Sequence, residues 1–115
     1  MLTLREMLVL VGGELLTPGL NLDAGCSKIF ASDLMSDVLA FSEPGSILMS
    51  GLVNAHVVRT ACLVEAMAII VVLGKRPDAD VVDEAAANKL PIIATGCSMY
   101  EACSRISRYV LEGKR

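Results

Sequence analysis

The sequence is poor in the groups that nucleic-acid binders and most enzymes rely on. Its 115 residues include no tryptophan, two tyrosines, two phenylalanines and one histidine. So few aromatic faces leave single-stranded nucleic acid little to stack on. Ten basic residues stand against thirteen acidic ones, for a net charge of −3. A basic patch that would capture nucleic-acid phosphates is therefore not expected. Long apolar runs are also missing. The longest, Ala66 to Leu73, is well short of the ~20 residues of a membrane-spanning helix. Met1 to Glu6 lacks a basic leader region, so no secretory signal is expected and the cytoplasm is the expected compartment. Neither G-x-x-x-x-G-K-[ST] nor G-x-G-x-x-G occurs. Gly74-Lys75 comes nearest and lacks both the spacing and the hydroxyl.

The four cysteines, at 26, 62, 97 and 103, fit no zinc spacing. They read as reduced thiols of a cytosolic protein. Cys62 and Cys103 fall on apolar helical faces, and Cys26 and Cys97, each after a glycine, are the expected exposed thiols. The carboxylates Asp33 and Asp37 share a helical face at a spacing of four, but hard cations need more oxygens than two side chains supply. No metal or cofactor is expected.

What the chain has in quantity is aliphatic surface. Apolar residues make up 54% and charged residues 20%, against about 45–50% and about 25% in average domains. One domain over residues 1–115, with residues 112–115 fraying, needs one core. The surplus predicts a further apolar face buried against a second copy or another protein.

Local signals divide the chain. Thr3 and Glu6 form a capping box before Leu4, Met7, Leu8 and Val11, which share a helical face. Gly12-Gly13 stops that helix. Glu14 to Thr17 and Cys26 to Ala31 read as strands. Ser32-Asp33 caps a short helix through Phe41. From Ser46 onward one pattern occurs three times: strand, glycine, polar cap, helix. The strands are Ser46–Ser50, Ala68–Leu73 and Pro91–Thr95, and the glycines are Gly51, Gly74 and Gly96. The caps are Asn54, Asp78 and Ser98, with Ser98 and Glu101 forming a second capping box. The helices run to about Ala66, to about Leu90 and, for the last, along Met99, Ala102, Cys103, Ile106, Tyr109 and Val110. Helical crossovers imply parallel strands, and parallel strands bring their C-terminal ends to one edge. Open α/β sheets bind ligands at such edges, and helix N-termini favour anions. The candidate ligand-contacting residues are therefore Ser50, Gly51, Asn54, His56, Gly74, Thr95, Gly96 and Ser98. No catalytic constellation is found, because nothing identifies a partner for His56.

The order of these segments resembles the DRTGG domain, which is related to the N-terminal domain of HPr kinase/phosphorylase. The matching stretches are Leu2 to Leu8, Gly12 to Thr17, Ser32 to Ala40, Ser46 to Gly51, Asn54 to Ala61, Ala68 to Asp78 and Leu90 to Ile106. Asp37, Gly51, Gly74 and Thr95 are matched positions. The chain departs from many relatives at Gly51-Leu52-Val53, where they have an arginine beside the glycine. The resemblance implies an α/β fold with a mixed, partly parallel sheet and helices packed on it. It also implies a non-catalytic role in dimerisation and regulation, as in modules attached to pyrophosphatases or acetyltransferases. Three readings follow. The first is a homodimeric regulatory module that senses an adenine nucleotide or another small anion at the strand-end glycine loops. The second is a protein-interaction subunit of a hydrogenase or other anaerobic redox system. The third is a thiol sensor or small enzyme using Cys26 or Cys97.

Overall fold

The computed structural model describes residues 2–26 and 28–109. Its centre is a five-stranded sheet in the order β2-β7-β6-β5-β4. The strands are β4 (Ile29–Ala31), β5 (Ile47–Ser50), β6 (Ala68–Val71) and β7 (Ile92–Ala94), all parallel, with β2 (Glu14–Leu15) antiparallel beside β7. Helices α2 (Met35–Phe41), α3 (Ala55–Leu63) and α4 (Ala79–Ala87) are the crossovers, and α1 (Leu4–Leu10) and α5 (Met99–Tyr109) lie at the two ends of the chain. The fold is thus α/β with a mixed, mostly parallel sheet. β1 (Leu2–Thr3) and β3 (Gly25–Cys26) form a separate two-stranded ribbon.

The continuous apolar strands are explained by burial on both faces. Ile47, Met49, Ala68, Ile70 and Ile93 join the core under α1 and α5. Their alternates Leu48, Ile69, Val71 and Ile92 join a second core with Val38 of α2, Val57, Val58 and Ala61 of α3, and Ala85 of α4. A sheet covered on both sides needs apolar residues at both parities of each strand. The surplus of aliphatic residues is largely consumed here.

Helix entries follow the local rules at three places. Thr3 and Glu6 complete the capping box of α1. Asn54 Oδ1 accepts the Val57 N–H at 3.2 Å. Ser98 and Glu101 exchange side-chain-to-backbone bonds at 3.1 and 3.0 Å at the start of α5.

Several expectations need correction. Asp33 does not cap α2, whose N-cap is Leu34 without a side-chain bond. It therefore does not share a helical face with Asp37. The expected strand from Cys26 to Ala31 is two strands in two sheets. α3 ends at Leu63 and α4 at Ala87, short of the expected limits. Asp78 occupies the N-cap of α4 without a side-chain bond. The cysteine expectation is reversed in part. Cys26 and Cys97 are buried, Cys62 is exposed and Cys103 is half-buried. The Cys26 thiol lies 3.2 Å from Lys28 O and 3.1 Å from Gly45 O. Cys97 Sγ points at Val11 O, 3.6 Å away. Burial of this kind makes thiols structural. Val110 and the 112–115 tail lie outside the described residues.

Candidate functional site

Parallel pairing puts the C-terminal ends of β5, β6 and β7 at one edge of the sheet. Because β2 is antiparallel, its first residue, Glu14, lies opposite Ala94 near the same edge. The loop that precedes β2, Gly12-Gly13, therefore meets the loops after β6 and β7. Backbone bonds tie these loops together. Leu73 N–H donates to Cys97 O at 2.8 Å and Gly74 N–H to Thr95 O at 2.9 Å. Thr95 is buried, and its Oγ1 donates to Val11 O at 2.7 Å while accepting the Cys97 N–H at 3.1 Å.

A cavity of about 220 Å³ opens where the loops meet. Main chain forms much of its wall, from Gly12, Gly13, Gly74 and Gly96, with Thr95, Glu14 and Arg76 contributing. The Arg76 guanidinium holds Glu14 in a two-pronged ion pair, Nη1 to Oε1 at 2.9 Å and Nη2 to Oε2 at 3.2 Å. Hydrogen bonding to Arg76 holds the Glu14 carboxyl below its usual value, and Glu14 in turn raises Arg76. Outside the cavity lining, Arg105 Nη1 lies 3.5 Å from Leu10 O and 4.0 Å from where a Cβ on Gly12 would stand. The backbone is unusual at the end of β6: Leu73 has φ +68° and Gly74 φ +70°. Left-handed conformation is costly for a leucine, and such residues concentrate at functional sites.

Not every glycine here has the same reason. Gly74 is required by its positive φ. A Cβ on Gly13 would lie 2.7 Å from Ile93 Cγ2, so packing excludes a side chain. Gly96 has neither constraint. Its φ is not in the left-handed region, and nothing lies within 4 Å of an added Cβ.

The other expected residues fall into different positions. Ser50 and Gly51 lie at the end of β5 and are tied to Asp33. Ser50 Oγ donates to Asp33 Oδ1 at 2.9 Å, Gly51 N–H donates to the same oxygen at 2.7 Å, and Ser50 Oγ accepts the Leu52 N–H at 3.1 Å. The Gly51 amide, the Ser50 hydroxyl and the nearby Lys75 ammonium all push the Asp33 carboxyl below its ordinary value. Asn54 and Ser98 serve as helix caps. His56 is exposed in the first turn of α3. Gly74, Thr95 and Gly96 are brought together at the cavity, while Ser50, Gly51, Asn54 and His56 do not line it.

The sequence reading missed Glu14, Arg76, Gly12 and Gly13 as members of this site. Gly12-Gly13 had a sufficient local explanation as a helix stop. The proximity of residues 14 and 76 depends on the pairing of β2 with β7, which no local pattern encodes. Larger depressions exist, including one of about 480 Å³ at Arg59, Cys62, Leu63, Glu84 and Asn88. Side chains of α3 and of the end of α4 form that groove. The strand-end cavity has main-chain walls and a guanidinium fork beside them, which suit specific anion recognition better. Among the described residues no cluster of three or more His, Cys, Asp or Glu side chains could hold a metal ion, and no helix is long and apolar enough to cross a membrane.

The fold and site define an α/β domain of mostly parallel sheet with a small polar cavity at the strand ends. A solved structure of the same fold is the regulatory region of a Clostridium perfringens pyrophosphatase, comprising CBS and DRTGG domains, complexed with its activator diadenosine tetraphosphate. The TM-score is 0.75 at 18% sequence identity, over 90% of this chain and 45% of that one. The chain thus spans less than half of that structure, and what the two share is a DRTGG-like fold. No protein-family model matches the chain, and no curated protein matches it.

Proposed function

We propose that the chain is a non-catalytic regulatory module that senses a small anionic ligand, an adenine nucleotide or a similar phosphate ester, at its strand-end glycine loops. The observation that carries this reading is the convergence of Gly12-Gly13, Gly74 and Gly96 around one cavity beside Arg76. Backbone without side chains allows close approach of a ligand, and a guanidinium fork suits phosphate oxygens. The crystallisation of a protein of this fold with a nucleotide activator supports the choice of ligand class. Gly74, Thr95 and Gly96 are the residues proposed to face the ligand. Ser50, Gly51, Asn54 and Ser98 act one step back, by fixing the loops and helix starts, and His56 borders the neighbouring loop. Leu52 stands where many DRTGG domains have an arginine, and Arg76, on the next loop, supplies a cation at this edge instead.

Isothermal calorimetry with AMP, ADP, ATP and diadenosine tetraphosphate tests the reading. A saturable heat with at least one of them is the expected result. Flat titrations across the panel, with circular dichroism showing folded protein, would refute it.

A further inference from the structure

We infer that Arg76 is the anion-binding fork of the strand-end cavity and that Glu14 is a built-in competitor for it, displaced when a phosphate or diphosphate group settles against the bare main chain of Gly96. The inference rests on the reading that this cavity takes a ligand, and it adds how the ligand is recognised and what its arrival changes.

Three observations converge on it. First, both terminal nitrogens of Arg76 are occupied by both oxygens of Glu14, at 2.9 and 3.2 Å, and both residues line the cavity. A phosphate presents the same pair of oxygens with more charge, and arginine binds it in the same two-pronged manner. Glu14 therefore occupies the fork as a phosphate would.

Second, the bond is easily exchanged. Both side chains are more than half exposed, at 55% for Arg76 and 64% for Glu14. Exposed ion pairs contribute little to stability. β2 is held in place by main-chain pairing of Glu14 with Ala94 and of Leu15 with Ile93. The Glu14 side chain can thus leave without unpairing the strand. Its departure would break a side-chain tie between β2 and the loop after β6, 62 residues apart in sequence. Ligand arrival is in this way coupled to the freedom of the loop that joins α1 to β2.

Third, Gly96 has no structural requirement for being glycine. Its conformation does not demand one, and an added Cβ would meet nothing within 4 Å. A bare main chain at the cavity wall is accounted for by something that must lie flush against it. The cavity volume of about 220 Å³ is below the roughly 300–1,000 Å³ of pockets that enclose whole small molecules. It suits a phosphate-bearing head group, with the remainder of a larger ligand outside.

The test is calorimetry with inorganic pyrophosphate and with ADP on the intact chain and on three variants, Glu14→Gln, Arg76→Gln and Gly96→Val, with the melting temperature of each as a control on folding. Removing the competitor in Glu14→Gln should tighten binding by about 2- to 5-fold, the range an exposed ion pair allows. Arg76→Gln should weaken it by about 10-fold or more, as expected for a lost charge-assisted bond. Gly96→Val should abolish binding while leaving the melting temperature unchanged. Binding to the intact chain that is equal or weaker in Glu14→Gln, or undiminished in Gly96→Val, would overturn the inference and leave the ligand-sensing reading standing. Binding of ADP without pyrophosphate would also overturn it, because recognition would then lie outside the head group. If neither probe binds the intact chain or Glu14→Gln, the inference falls, and the ligand-sensing reading falls with it when AMP, ATP and diadenosine tetraphosphate also give flat titrations.

Discussion

Asp33 illustrates how one carboxylate organises a strand end. Its Oδ1 accepts from the buried Ser50 hydroxyl and from the Gly51 amide. Replacing it with alanine leaves both donors without that acceptor, at a cost of about 1–3 kcal/mol. The pH dependence follows from the depressed native pKa, caused first by the Gly51 amide and then by the Ser50 hydroxyl. An unfolded aspartate titrates near ~3.9. The stabilisation is therefore fully present above that value and is lost as pH falls through the lower native one. Urea unfolding should show a stability gap between the native chain and Asp33→Ala that is steady from neutral pH to about pH 5 and shrinks at more acid pH. A gap as large at acid pH as at neutral pH would contradict the assignment. None of this was visible in the sequence, where Ser32-Asp33 reads as an ordinary N-cap. The partners of Asp33 lie 17 and 18 residues away, and local pattern cannot choose between a near acceptor role and a distant one. The same blindness misplaced the cysteines. A preceding glycine says nothing about burial, which places Cys26 and Cys97 in the core under α1 and α5.

The elements that the sequence showed best are those decided within a few residues or by a long run. Both capping boxes formed as their spacing predicts, because reciprocal bonds across three residues need no tertiary help. β5, β6 and β7 were legible as unbroken aliphatic runs, since both faces of each are covered. Elements of two residues were legible only in part: β2 lies within the strand expected over Glu14 to Thr17, and β1 was not expected. β1 and β3 have no periodicity to read, and β2 is identified by its partner more than by its composition. The second capping box carries a direct prediction. Ser98→Ala removes the acceptor of the Glu101 N–H and should cost about 1 kcal/mol. Thermal unfolding measures it. A neutral result would mean that burial of Ala102 and Ile106 alone fixes the start of α5.

Across the whole molecule, two cores account for most of the aliphatic surplus, but not for all of it. Leu34, Leu39 and Phe41 remain exposed along and beside α2, with Phe41 70% accessible. The neighbouring β4 is an edge strand of the sheet among the described residues. Exposed apolar side chains next to an unpaired strand edge are what a second copy would cover. On that basis we propose that the chain is a homodimer. Light scattering coupled to gel filtration should give twice the 12.2 kDa chain mass, and Phe41→Asp should return a folded monomer. A native chain that elutes as a monomer at micromolar concentration would move the reading toward a surface for a different protein.

The pairing of β2 with β7 also governs when the cavity can exist. Glu14 meets Ala94, and Val11 receives the Thr95 hydroxyl from 84 residues further on. Closing so long a loop is slow compared with forming local helices. During synthesis α1 and β2 emerge before β7, and β2 must wait for β7 before it gains its partner. The strand-end cavity lies across that seam. Ligand occupancy would therefore report that β7 has been made and paired with β2, and a ligand of this cavity would slow unfolding by holding those two strands together.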